Sequence, residues 1–241
     1  MREHFEGKTV AEHVIKARLK GLEASKEMHG TELPGHYSAA ADAGKETTFL
    51  LVGWLALFGE WKIEWLGALM AGWLVWKVGR SAILGWSRLE RLHRLIEEER
   101  WEIEHHRSQE REELKELYAA KGFEGKLLEE VTDVLMADDN RLLQVMLEEE
   151  LGLHLESYEH PLKQACGAGV GVLGAIFLVG GAERLFGVGG AIMAGVFVIA
   201  FSAGISAKLE KNRTTVSIIW NTALGALAVA ITYFAAQLIA I

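Results

Sequence analysis

Between two apolar blocks of this chain lies a stretch of charge. Residues 90–150 hold 19 Asp and Glu against 9 Lys and Arg, a net charge of −10 where all 241 residues together carry −8. The acid is therefore concentrated in one place, and the rest of the chain is slightly basic. Apolar residues gather on either side, in residues 49–78 and 165–241. The overall hydrophobic fraction of 50% decides little, because soluble domains also reach it. The segregation decides more, and points to an all-α membrane protein with a polar insert. Two Pro and 26 Gly suit apolar helices that pack through small residues.

Taken in order, residues 1–33 place Phe5, Val10, Val14, Ile15, Leu19 and Leu22 at spacings of 3 and 4. That predicts an amphipathic helix over residues 9–28. Its Lys16, Arg18 and Lys20 suit an anionic membrane surface, and packing on a cytosolic domain accounts for it equally well. His29, Glu32 and His36 are metal-ligand types, but they straddle Gly30, Pro34 and Gly35, so no regular element fixes their geometry. The first 20 residues have no apolar core long enough for a cleaved signal peptide.

A first span is expected over residues 47–60, short of the ~20 apolar residues a bilayer needs, unless it begins in the small-residue run 38–44. A second is expected over 63–85, with Trp61, Trp65 and Trp86 as interface anchors and Lys77 and Arg80 snorkelling to the cytosolic face. No Pro or Gly interrupts residues 87–106, so span two should continue as one helix, with Leu89, Leu92, Ile96 and Ile103 on its inner face. Pro161 suits the first turn of a third span over 162–181. Spans four and five are expected over 187–207 and 216–241. Gly167, Gly171 and Gly174, then Gly190, Ala194 and Gly195, offer faces for close helix contact. The lone Cys166 makes neither an intramolecular disulfide nor a zinc cluster, and reads as a small buried residue.

The chain thus divides into an amphipathic segment (1–46), two spans (47–86), an acidic three- to four-helix domain (87–160) and three spans (161–241). Lys and Arg concentrate in the N-terminal segment, the insert and residues 208–213. By the positive-inside rule these are cytosolic, and the C-terminus lies on the opposite side.

Within the insert, helices are expected to about residue 106, then over 110–121 closed by Gly122, 126–136, and 140–151 opened by Asp139 or Asn140 and followed by Gly152. Glu99 and Glu102 are three apart, as are Glu113 and Glu116; Met146 and Glu150 are four apart. Residues so spaced share a face. Paired carboxylates repel, and a bound cation would remove that penalty. Oxygen ligands with one thioether are compatible with a borderline divalent metal such as Fe(II). The plainer reading is a set of solvated faces held by pairs such as Glu90–Arg94. His105 and His106, at a helix junction, are surface-turn residues or ligands. No nucleophile–base set, phosphate loop or redox motif argues for an enzyme, and the acidic insert would repel nucleic acid.

The segments EEERWEIEHH, EREELKELYAAKGF, LMADD, VMLEEELGL and TYFAAQL, spread over residues 87–241, resemble the vacuolar iron transporter family. The resemblance implies two spans, a cytosolic acidic helical domain and three further spans. It implies a metal/proton antiporter working as a homodimer in the lipid bilayer, with divalent cations, Fe2+ or Mn2+, as cargo. It also implies a cytosolic site of Glu pairs and a Met, carried by position to Glu113, Glu116, Met146 and Glu150, with Glu102 and Glu99. The N-terminal third departs from the pattern. That family's first span usually carries Asp-Gly and its second Gly-Glu. Here the first span's core FLLVGWLALFG has no carboxylate, and the second's GALMAGWLVWKVGRSA has Met70 but no Glu; Glu60 and Glu64 lie at the wrong end to replace both. Two readings follow: a transporter moving iron or manganese out of the cytosol, and a membrane-anchored metal-binding or sensing protein that does not transport.

Overall fold

The computed structural model describes residues 15–16, 35–153 and 159–239. The amphipathic helix expected over 9–28 lies outside these residues apart from Ile15 and Lys16, as do His29 and Glu32. Among the described residues, seven long helices and no strand follow one another: α1 His36–Phe58, α2 Ile63–His105, α3 Arg107–Ala119, α4 Gly125–Met136, α5 Asp139–Glu149, α6 Pro161–Leu209 and α7 Thr214–Ile239. They form two compact units, Gly30–Gly85 with Glu159–Ile241, and a second that contains Trp86–Tyr158.

In the first unit, α6 and α7 are long and apolar enough to cross a membrane. With 49 residues, α6 would reach roughly 70 Å if straight, over twice a hydrocarbon core of ~30 Å. It is not straight: Gly187 breaks it with φ 68° and ψ −160°, a conformation closed to residues bearing a Cβ. Ala175 and Val179 before the break and Ala191 and Val198 after it share one buried cluster with Leu51 and Leu55 of α1. The two limbs therefore fold back as a hairpin against α1. His160 caps the first limb, its Nδ1 accepting from Leu162 N, with Pro161 in the first turn. No residue of α7 is buried, and α6 exposes Phe177, Phe186, Met193 and Phe197. Apolar side chains so displayed suit a lipid surround. Cys166, expected to be buried, is instead exposed: Gln164, Ala165, Gly167 and Ala168 take the inner positions of that turn of α6.

The start of α1 decides between the two starts the sequence left open. The helix begins at His36, ahead of the small-residue run 38–44, so Asp42, Lys45 and Glu46 belong to it. The cause is close packing on α6. A Cβ at Gly167 would lie 2.1 Å from the His36 carbonyl oxygen, and one at Gly171 2.1 Å from that of Ala40. Only glycine lets the backbones come so near. That approach buries Ser38, Ala39, Asp42 and Ala43, and extends the helix through a segment too polar to read as a span. Backbone N–H and Nδ1 of His36 both bond the Glu159 carboxylate, at 2.8 Å, which engages His36 in an ion pair at the helix start.

Lys77 also departs from expectation. It does not snorkel; it is buried on α2 with Nζ 3.2 Å from Glu46 Oε2. One turn earlier, Trp73 Nε1 donates to Thr47 Oγ1 at 2.9 Å, and that hydroxyl donates to the Ala43 carbonyl. Met70 packs among Leu51, Leu55 and Leu66 as a core residue.

In the second unit, α2 runs unbroken to His105, where the imidazole Nδ1 donates to the Trp101 carbonyl and the ring stacks on the indole. Asp138 caps α5, accepting from Arg141 N at 2.8 Å, one residue before the expected cap. Gly122 and Gly152 take positive φ just beyond α3 and α5, as helix-closing glycines do. Leu92 and Ile103 of α2, Leu114 and Leu117 of α3, Met136 of α4 and Leu142, Met146 and Leu147 of α5 make the core.

Candidate metal centre

Several acids of this unit stand in ion pairs near its surface. Arg111 holds Glu129 at 3.0 Å and Asp133 at 2.6 Å, Lys115 holds Glu129 at 2.8 Å, and Lys121 pairs with Glu149. These tie α3 to α4 and α5 from the outside, and exposed pairs of this kind contribute little each.

Four carboxylates behave differently. Glu99, Glu110, Glu113 and Glu150 are buried, Glu110 and Glu113 completely. The placement follows from the apolar pattern of α3. Its buried face is Glu110, Glu113, Leu114 and Leu117, a spacing of 0, 3, 4 and 7 that makes one stripe of a helix. Leu114 and Leu117 anchor that stripe in the core, and the two glutamates are carried in with them. Glu99 comes from α2, on the same side as Ile103. Glu150 caps the C-terminal end of α5, one turn beyond Met146, which is wholly buried. One carboxylate oxygen from each of Glu99, Glu110 and Glu150 lies within 4.8 Å of the other two. Glu113 hydrogen-bonds Glu150.

Two full negative charges at that distance repel by about 3 kcal/mol even at an effective dielectric near 20. The burial cost adds to this. The Glu110 carboxyl is pushed up to about 10, first by loss of water and then by the charges of Glu99, Glu113, Glu150 and Glu102. Glu113 is pushed up to about 8 by burial and by Glu102, an effect the hydrogen bond from Glu150 partly offsets. Without a cation the cluster must hold protons at neutral pH. A divalent ion would satisfy the same oxygens without them.

The sequence-derived set is thus partly gathered and partly dispersed. Glu99, Glu113, Met146 and Glu150 are buried in the unit's interior, and Glu102 is half-buried beside them. Glu116 is exposed on the outer face of α3. Glu110 occupies the central position and is absent from that set. The signal for it was present: Glu110 stands four and seven residues before Leu114 and Leu117, whereas Glu116 shares no such face.

The donor set of four carboxylates and a nearby thioether fits a divalent cation of hard to borderline character. No curated protein matches the chain. A model of the VIT family matches residues 86–237, which contain the whole buried cluster together with α6 and most of α7. That match covers well over half of the chain, so the chain belongs to the VIT family, a family of membrane metal or ion transport.

Proposed function

We propose that the protein moves a divalent metal ion, iron or manganese, out of the cytosol, and that Glu99, Glu110, Glu113, Glu150 and Met146 capture the ion, with Glu102 at the margin. The observation that carries this reading is the buried convergence of Glu99, Glu110 and Glu150 from three helices. Like charges are not brought together out of water for stability, so their juxtaposition argues for a positive partner. The carboxylates suit Mn(II), and the thioether of Met146, one turn before Glu150, adds a softer donor that favours Fe(II) over Ca(II) or Mg(II).

The same reading takes five spans: α1, the first half of α2, the two limbs of α6 around Gly187, and α7. It puts the acidic unit in the cytosol and the C-terminus on the other side, with two copies forming the working transporter. The alternative, a membrane-anchored metal-binding or sensing protein, rests on two spans without carboxylates in their apolar cores. Asp42 and Glu46 on α1 weaken that motive for the first span, while the second still has none.

Reconstitution in proteoliposomes tests the proposal. Saturable Mn(II) or Fe(II) flux is expected in the wild type, with strong loss in Glu110→Gln/Glu113→Gln. Binding without flux would favour the sensor; neither binding nor flux would remove both readings.

A further inference from the structure

Near its start α7 sits close on α6. Ser217 Oγ donates to the Ala203 carbonyl, and a Cβ at Gly204 would lie 3.5 Å from Ile218. Further along, a fissure opens beside it. Thr222, Gly225, Ala226, Val229, Ala230 and Tyr233 recur at helical spacing on one face of α7, and that face borders a cavity of about 490 Å3. Val52 and Leu55 of α1, with Ile192 and Val196 of the second α6 limb, form the facing walls. The stripe on α7 runs roughly 17 Å, somewhat over half of a ~30 Å hydrocarbon core.

The cavity selects its occupant by charge, width and surroundings. No charged side chain is among those that line it, so neither an ion nor a charged headgroup belongs inside. It is slender. A helix of 10–12 Å diameter would take up roughly 1,300 Å3 or more over that length, so a span of a second copy does not enter. Val196, Tyr233 and Phe234 line the cavity and are themselves exposed. The fissure is therefore continuous with the apolar surface of α6 and α7 that suits a lipid surround. Trp220, 71% exposed, and Asn221 directly precede the stripe, and an exposed indole is the kind of group found where a bilayer meets water.

We propose that one hydrocarbon chain of a bilayer phospholipid lies in this fissure, with its headgroup at the Trp220 end, and seats α7 against α1 and α6. The inference rests on the membrane placement of these helices and not on metal transport. Left empty, the walls would forfeit dispersion contacts along their length. A chain restores them and ties in α7, none of whose residues is buried by protein.

Native mass spectrometry of the full-length protein, released from detergent supplemented with dioleoyl phosphatidylcholine, counts the lipids kept by each chain. One retained lipid per chain is expected in the wild type. Ala226→Phe/Ala230→Phe fills the fissure from α7 and should lower retention at least about tenfold. Ala230→Leu, a milder filling, should lower it severalfold even where the double variant does not fold. Ala235→Phe adds the same bulk to an exposed position on the opposite side of α7 and should keep the lipid. No retained lipid in the wild type overturns the proposal, as does equal retention in the filled variants and in Ala235→Phe. Lipid held by single chains but absent from paired ones assigns the fissure to a second copy and overturns it as well. A wild type that keeps its lipid but carries no Mn(II) flux overturns the transport reading alone.

Discussion

Glu110 on α3 and Glu150 at the end of α5 bring carboxylate oxygens within 4.8 Å of each other in a part of the protein closed to water, with Glu99 of α2 as the third member. Forty residues separate the two in the chain, and the apolar residues beside them, not attraction, bring them together. Leu114 and Leu117 on one side and Leu142, Met146 and Leu147 on the other form the packing that forces the oxygens to meet. The energy of that packing is held against electrostatic repulsion, and a cation is the partner that releases it.

Metal binding should expel protons. Glu110 and Glu113 are raised to about 10 and about 8, so both hold protons at pH 7 in the metal-free protein. Between one and two protons should leave per Mn(II) bound at that pH, and affinity should rise as pH goes from 6 to 8. Calorimetry in buffers of different ionisation enthalpy reads the number directly. Binding with no proton release would contradict the arrangement.

Stability without metal should fall as pH rises. A carboxyl whose folded value of about 10 stands above its ordinary 4.5 binds more protons folded than unfolded between those limits. The slope of unfolding free energy with pH is then negative across that window. The melting temperature of the acidic unit is expected to drop steadily from pH 5 to pH 9, and saturating Mn(II) should restore it. Glu110→Gln should remove most of the slope, since its amide cannot ionise.

Glu110 and Glu116 should separate cleanly. Glu110→Gln is expected to weaken Mn(II) binding at least about tenfold, on the order of 1.4 kcal/mol. Glu116→Gln changes an exposed side chain on the outer face and should stay within about twofold. Equal effects of the two substitutions would show that the buried stripe is not where the ion sits.

Gly171→Ala tests the α1–α6 contact. The added methyl would fall 2.1 Å from the Ala40 carbonyl oxygen, backbone that cannot step aside without moving the helix. A loss of about 1–3 kcal/mol is expected, read as a lowered melting temperature of the full-length protein in detergent. Gly174→Ala, with open space around the added methyl, should leave it unchanged.

Much of the architecture could be read from the chain. Pro161, Gly122 and Gly152 mark helix ends by local backbone chemistry that needs no tertiary partner. The boundaries of α4 follow from the same rules to within one residue, whereas the first limb of α6 runs on to Gly187, past the end expected at residue 181. The N-terminal end of α1 stayed open between residue 47 and the run 38–44, because Asp42, Lys45 and Glu46 break an apolar pattern; the glycines of α6, over a hundred residues away, decide it. Lys77 misled for a related reason: a lysine near a span end usually reaches for water, whereas here Glu46 of α1 meets it inside.

By itself the sequence determined that the acid lies in one insert between apolar helices, and that its helices carry glutamates at shared-face spacing. Which glutamates turn inward was decided by tertiary structure. Charge alone does not orient an acidic helix, since every face is equally welcome in water; the burial of Leu114 and Leu117 rotates α3 until Glu110 and Glu113 point inside and Glu116 points out.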